Sequence, residues 1–141
     1  LKWLVFDADV SFSRAYFTSP GFEGVFVPEA VNTVFSAGAS VDGFHRTFGS
    51  LRWRYFGPRP LVEDGSVRSN ATSLANLQLG YQPVRHLRVT ADVFNLFDAK
   101  ASDIEYYFTS RLPGEPLAGV DDRHFHPAVP RSLRVAASVT F

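Results

Sequence analysis

The feature that most constrains this chain is an alternation of apolar and polar side chains with a period of two residues, repeated in six segments. Neighbouring residues of an extended strand point to opposite faces, whereas a helix returns to one face every three or four residues. In residues 131–141, Leu133, Val135, Ala137, Val139 and Phe141 share one parity, and Arg134, Ala136, Ser138 and Thr140 share the other. Leu87, Val89, Ala91 and Val93 alternate with Arg88, Thr90 and Asp92. Leu77, Leu79 and Tyr81 alternate with Asn76, Gln78 and Gln82, and Leu51, Trp53 and Tyr55 with Ser50, Arg52 and Arg54. Phe35, Ala37, Ala39 and Val41 alternate with Ser36, Gly38 and Ser40. Leu4, Phe6, Ala8, Val10 and Phe12 alternate with Asp7, Asp9 and Ser11. The pattern predicts an all-β fold: an antiparallel meander of about six strands over residues 1–141, read as one domain.

Strand length and loop spacing carry the prediction further. Ten residues at ~3.4 Å each span about 34 Å, and a ~45° tilt reduces the height to about 24 Å, close to the apolar band of an outer-membrane barrel. Soluble strands are commonly ~5–6 residues. Short connections are expected at Asp42-Gly43 and at Pro83 to His86. Long ones are expected near residues 14–30, 57–71 and 98–130, alternating strictly with the short ones, so all long loops emerge at one end. Short periplasmic turns opposite long extracellular loops are the barrel pattern. Trp53, Tyr55 and Phe56 fall near one end of the strands and Tyr81 and Phe141 near the other, as in aromatic girdles.

Composition agrees. Aromatics make up 15% of the chain and charged residues only 20%, below the ~25% of ordinary soluble domains. The net charge is zero, so no global field argues for nucleic acid. There is no cysteine for a disulfide or thiolate site, and no run of ~20 apolar residues for a membrane helix. Trp3, Val5, Val34, Phe48 and Phe94 break the pattern by falling on the polar parity; a plug contact, lumen packing or a β-bulge would each account for them. Lipid cannot satisfy an open sheet edge, so six strands opening without an initiator Met lead us to expect a fragment of a larger closed barrel.

Two stretches resemble the C-terminal signature of TonB-dependent receptors. Residues 87–98 end in Val93-Phe94-Asn95-Leu96-Phe97-Asp98, similar to that family's penultimate strand, and the last strand closes on the aromatic Phe141. Residues 54–60, 106–115 and 119–127 also look like stretches of a receptor subgroup of unassigned substrate. The resemblance covers nearly the whole chain. It implies the C-terminal part of a 22-stranded outer-membrane barrel, with a plug domain contributed by the same parent chain and import driven by the TonB complex. Outer-membrane lipid would surround it, and the barrel assembly machinery would read the C-terminal strand and Phe141. The implied cargo is a scarce nutrient such as an iron–siderophore complex.

Candidate functional residues fall into two groups. Asp7, Asp9, Arg52, Arg54, Arg88, Asp92 and Arg134, with Arg46, sit opposite the aliphatic face, where they would line a lumen or meet a plug. A lipid-facing Arg would cost ~2–4 kcal/mol at the midplane, so their segregation fixes inside and outside. In the long loops, Arg59, Arg68, Arg111 and Arg123 are candidates for an anionic ligand, or simply a solvated surface. His124 and His126, two apart in an extended segment, point the same way near Asp121 and Asp122; hydrogen bonding within the loop is the plainer role, and no metal site is expected. Asn95 and Asp98 read as Asx groups bonding backbone where a strand leaves its ladder. No nucleophile, base and orienting group can be assembled, and no phosphate loop occurs, so neither catalysis nor a cofactor is expected. The alternatives are a passive porin-like or autotransporter-type barrel without energy coupling, and a soluble β-sheet binding module.

Overall fold

The computed structural model describes residues 1–19 and 23–141; residues 20–22 of the first long connection lie outside the described residues. The alternating segments form six strands: β1 (Leu4–Phe12), β2 (Thr33–Phe44), β3 (Thr47–Phe56), β4 (Thr72–Val84), β5 (Leu87–Phe94) and β8 (Ser132–Val139). They pair in the order β1-β2-β3-β4-β5-β8, each antiparallel to its neighbour. The expected meander is present, with one addition. The long connection over residues 98–130 is not merely a loop: it holds a separate hairpin of β6 (Ser102–Ser110) and β7 (Val120–Pro127).

Register decides what each face contains, because directly paired residues project to the same side. Val10, Phe35 and Tyr55 form one such row; Phe6, Ala39, Leu51, Leu77, Val93 and Leu133 form another across the whole sheet. Leu79, Ala91 and Val135 follow, then Tyr81, Val89 and Ala137. The aliphatic sets of all six strands therefore coincide on one face. Among the described residues no other element covers that face: Phe6, Leu79, Leu133 and Val135 are 73%, 57%, 68% and 66% exposed. A soluble sandwich would need a second sheet there, and β6 and β7 make extensive contact only with each other. A continuous apolar face of this size marks contact with protein or lipid.

Both short turns differ in detail from expectation. The β2–β3 turn is His45-Arg46, with φ of 47° and 65°, and Phe44 pairs with Thr47. Asp42 and Gly43 form a bulge before it, where the register shifts between Val41 and Phe44 and Gly43 has φ 72°. The sequence offers Asp42-Gly43 as the obvious turn, but positive φ at two consecutive central residues occurs three residues later. Arg46 consequently leaves the polar face for the turn, where its Nη1 donates to the Pro83 carbonyl at 2.6 Å. The β4–β5 connection is the narrower pair Arg85-His86, since Val84 pairs with Leu87 after a second register shift.

The bulge also explains one anomalous aromatic. It puts Phe44 in the same outward row as Thr47, and Trp3 stacks on Phe44 with ring centroids 4.6 Å apart. Phe48 does remain on the polar side. Its ring lies over Gly80, where an added Cβ would fall 2.0 Å from it, and Arg88 stacks on it with the guanidinium carbon 3.7 Å from the centroid. Phe94 similarly carries Arg134 at 5.2 Å. These rings are tolerated among charges because cation–π contact replaces part of the solvation that the guanidinium loses. Gly80→Val should lower the urea midpoint of the full-length protein by the equivalent of about 1–3 kcal/mol, and Phe48→Ala added to it should recover most of that loss. An unchanged midpoint in Gly80→Val would mean that the ring swings clear without cost.

Candidate functional site: an ion-paired wall and a tied loop cap

Seven of the eight charged residues expected opposite the aliphatic face lie there together, Arg46 being the exception in its turn. Asp7, Gly38 and Arg52 form one cross-strand row. Arg52 donates from Nη1 and Nη2 to the two Asp7 carboxylate oxygens at 2.9 and 3.0 Å, reaching across β2. Gly38 permits this: a Cβ there would lie 2.7 Å from Asp7 Oδ1 and 3.0 Å from Arg52 Nη2. A second row holds Gln78, Asp92 and Arg134. Asp92 is 7% exposed and accepts from Gln78 Nε2 at 2.7 Å, and from Arg134 Nε and Nη2 at 3.1 and 3.0 Å. Asp9, Ser36 and Arg54 share a third row, and Arg88 pairs with Ser138. The bidentate Arg52–Asp7 pair, and the two Arg134 donors converging on Asp92 Oδ2, orient these groups along the wall as well as neutralising them.

The end bearing the long connections is a tied structure. The β3–β4 connection closes on itself through the Pro60–Arg68 bridge, and the β1–β2 connection through the Tyr16–Phe26 bridge. The two are joined by Phe26 N–H donating to Glu63 O and Glu29 N–H to Pro60 O, both at 2.9 Å. Arg59, 7% exposed, donates from Nε to Glu29 Oε2 at 2.6 Å. Its neighbour Pro60 is fully buried beside Leu61. The β6–β7 hairpin attaches through Glu105, only 2% exposed, which accepts from the Asn70 N–H at 3.3 Å and faces Arg123 Nη1 at 3.5 Å. Thr72 Oγ1 adds a bond to the Ser102 carbonyl at 2.9 Å.

The loop residues singled out in the sequence are thus dispersed. Arg59 and Arg123 are held by carboxylates, Arg68 donates to the Pro58 carbonyl at 3.2 Å, and Arg111 donates to the Glu115 carbonyl at 3.1 Å. His124 and His126 pair with Tyr106 and Ile104 and so share one face of the hairpin. There His124 stacks on Phe108 at 3.9 Å, while His126 Nδ1 lies 3.8 Å from Asp103. Among the described residues, no three His, Asp or Glu side chains gather as a metal site requires.

Glu105 was not anticipated from the sequence. Its signal was the alternation Ile104, Tyr106, Phe108 inside the supposed loop, which places Glu105 on the opposite face with Tyr107. Beside it opens a cleft of about 850 Å3, with Lys100, Glu105, Arg123, Phe125 and Val129 in its walls. Asp98, the last residue of the Asn95-to-Asp98 motif, also lines it. Asn95, 4% exposed with φ 50°, donates from Nδ2 to the carbonyls of Ala99 and Val129 and accepts from the Ala99 N–H at 2.9 Å. Asp98 accepts from the Arg131 N–H at 3.1 Å. That bond, aided by Lys100, holds the Asp98 carboxyl below its ordinary range.

No protein-family model matches the sequence, and no curated protein matches it. Among solved structures, the chain is similar to the ferric-catecholate import receptor Fiu from E. coli K12, in its closed form. The TM-score is 0.76 at 18% identity, and the match covers 100% of this chain and 19% of the receptor. The chain therefore spans about a fifth of that receptor's length, and the likeness is one of fold.

Two expectations follow from this geometry. Glu105→Ala leaves the Asn70 N–H and Arg123 without their carboxylate, at about 1–3 kcal/mol; limited proteolysis should then cut the β6–β7 hairpin faster, and an unchanged rate would show that Glu105 does not anchor it. A folded-state pKa below the unfolded one adds stability that is complete above the unfolded value and lost as pH falls through the folded one. Pepsin cleavage near Phe97 should therefore increase between about pH 5 and pH 2, and Asp98→Asn should be open to cleavage throughout. The same pH response in Asp98→Asn would assign it to another group. The fold itself is established: the chain is folded like a segment of a β-barrel wall, an antiparallel meander with one bare apolar face and one face carrying ion pairs.

Proposed function

We propose that this chain is part of an outer-membrane receptor of the TonB-dependent type, importing a scarce nutrient such as an iron–siderophore complex. The observation that carries the reading is the coincidence of all six aliphatic sets on one uncovered face, opposite a charged face with the ion pairs Asp7–Arg52 and Asp92–Arg134. A bilayer solvates the first face, and a water-filled or plug-filled lumen solvates the second. The likeness to the ferric-catecholate import receptor supports the receptor reading over a plain pore. In this reading the wall charges, including Asp9, Arg54 and Arg88, face the plug domain of the parent chain. The tied cap with Arg59, Arg68, Arg111, Arg123, His124 and His126 contributes to ligand capture, and the TonB complex acts through segments elsewhere in that chain. The barrel assembly machinery recognises the last strand and Phe141.

Energy coupling separates this function from a passive barrel. Cells whose only catecholate receptor is the full-length protein should accumulate ferric catecholate when TonB is present and lose uptake when it is deleted. Uptake that persists without TonB would favour a porin-like barrel. The membrane assignment has its own check: Val135→Arg places a cation on the apolar face at about 2–4 kcal/mol, whereas Ser138→Arg places one beside Arg88 on the polar face. Folded barrel, scored by heat-modifiable mobility, should fall far more in Val135→Arg; equal yields would overturn the assignment of faces.

A further inference from the structure

Two hollows lie side by side at the short-turn end of the sheet, and their linings differ in kind. One is an apolar depression of about 560 Å3, lined by Ala39, Val41, Phe44, Gly49, Leu51 and Leu79 among others. Gly49 stands without a side chain in the outward row between Val41 and Leu79, where a Cβ would lie 2.5 Å from the Gln78 carbonyl oxygen, and Phe44 and Trp3 wall the end of the hollow. The other is a cleft of about 450 Å3 lined by Arg46, Gln82, Pro83, Val84 and Arg85. Val84 stands on the outward side as well, in the row of Leu87 and Val139.

The hollows are neighbours at this end, since Thr47 lines the first and the adjacent Arg46 the second. Arg46 is held in place by its bond to the Pro83 carbonyl. A guanidinium has five donors, so that bond leaves most of the group for another acceptor. Lys2, Arg46 and Arg85 surround this end, against the single side-chain carboxylate of Asp42. An apolar slot beside a cleft of two arginines, walled by aromatic rings at interface level, matches a molecule that has a hydrocarbon chain at one end and an anionic phosphate at the other. We propose that this surface is a specific site for an anionic glycerophospholipid, with an acyl chain in the Gly49 depression and the phosphate on Arg46 and Arg85. The site rests on the membrane reading above.

The test uses the full-length protein in nanodiscs of phosphatidylglycerol or phosphatidylcholine, followed by native mass spectrometry of the lipids it retains. The wild type should retain phosphatidylglycerol with a roughly tenfold preference, the size expected of one or two interfacial cations. The double variant Arg46→Gln/Arg85→Gln should lose that preference. Ala39→Phe, which fills the slot with a residue suited to a strand, should reduce retention of both lipids. Arg131→Gln, at the opposite end, should behave as wild type. Equal retention of the two lipids by the wild type, or a preference untouched in the double variant, would overturn the site. Dimers occupying the surface in place of lipid would overturn it too. Failure to enter either nanodisc would instead overturn the membrane reading itself.

Discussion

The backbone ladder from β1 to β8 is the constraint on which everything else depends. Because side chains alternate strictly along a strand, a slip of one residue at any of the five pairings would send a whole aliphatic set to the charged face. The register avoids this at every pair. The two places where it does shift, at Asp42-Gly43 and at Gln82-Pro83, lie next to the short turns, where an extra residue re-aims only the last side chains. At the first of them the bulge joins Phe44 and Trp3 to the outward face.

Given that register, the polar face solves a second problem. Charges on a wall with few neighbours need partners, and the wall supplies them within cross-strand rows. Glycine and arginine act jointly here: Gly38 leaves the gap through which Arg52 reaches Asp7, and Gly80 leaves the one that Phe48 fills beneath Arg88. The missing side chains are thus part of how the face is ordered. On the outward side, Gly49 likewise lines a depression in an otherwise even apolar surface.

The long connections gain order by a different route. They have little hydrophobic core, with Pro60 and Leu61 the main apolar groups buried there, and rely on backbone bonds between loops and on two part-buried carboxylates. Glu29 binds Arg59, and Glu105 binds the Asn70 N–H and Arg123. The four arginines of this cap each also engage an acceptor of the chain itself. An accessible cleft remains between the β6–β7 hairpin and the Asn95 turn, and its two cations, Lys100 and Arg123, come from different segments.

Period-two alternation determined by itself the six wall strands, their faces and the grouping of the seven wall charges, because strand geometry ties parity to side and each strand reports its own parity. It also made the Asn95 and Asp98 backbone bonds legible, since Asx groups at a strand exit have few other partners. The turn at His45-Arg46 was hidden by a stronger turn dipeptide three residues earlier. The β6–β7 hairpin was hidden by charged residues at Asp121, Asp122 and Arg123, which obscure alternation in a segment that no apolar face requires. Only the tertiary structure decided which residues meet. Asp7 with Arg52, Glu105 with Asn70, and Phe48 with Gly80 are far apart in sequence, and their contact follows from pairing register and loop packing, which no single segment encodes.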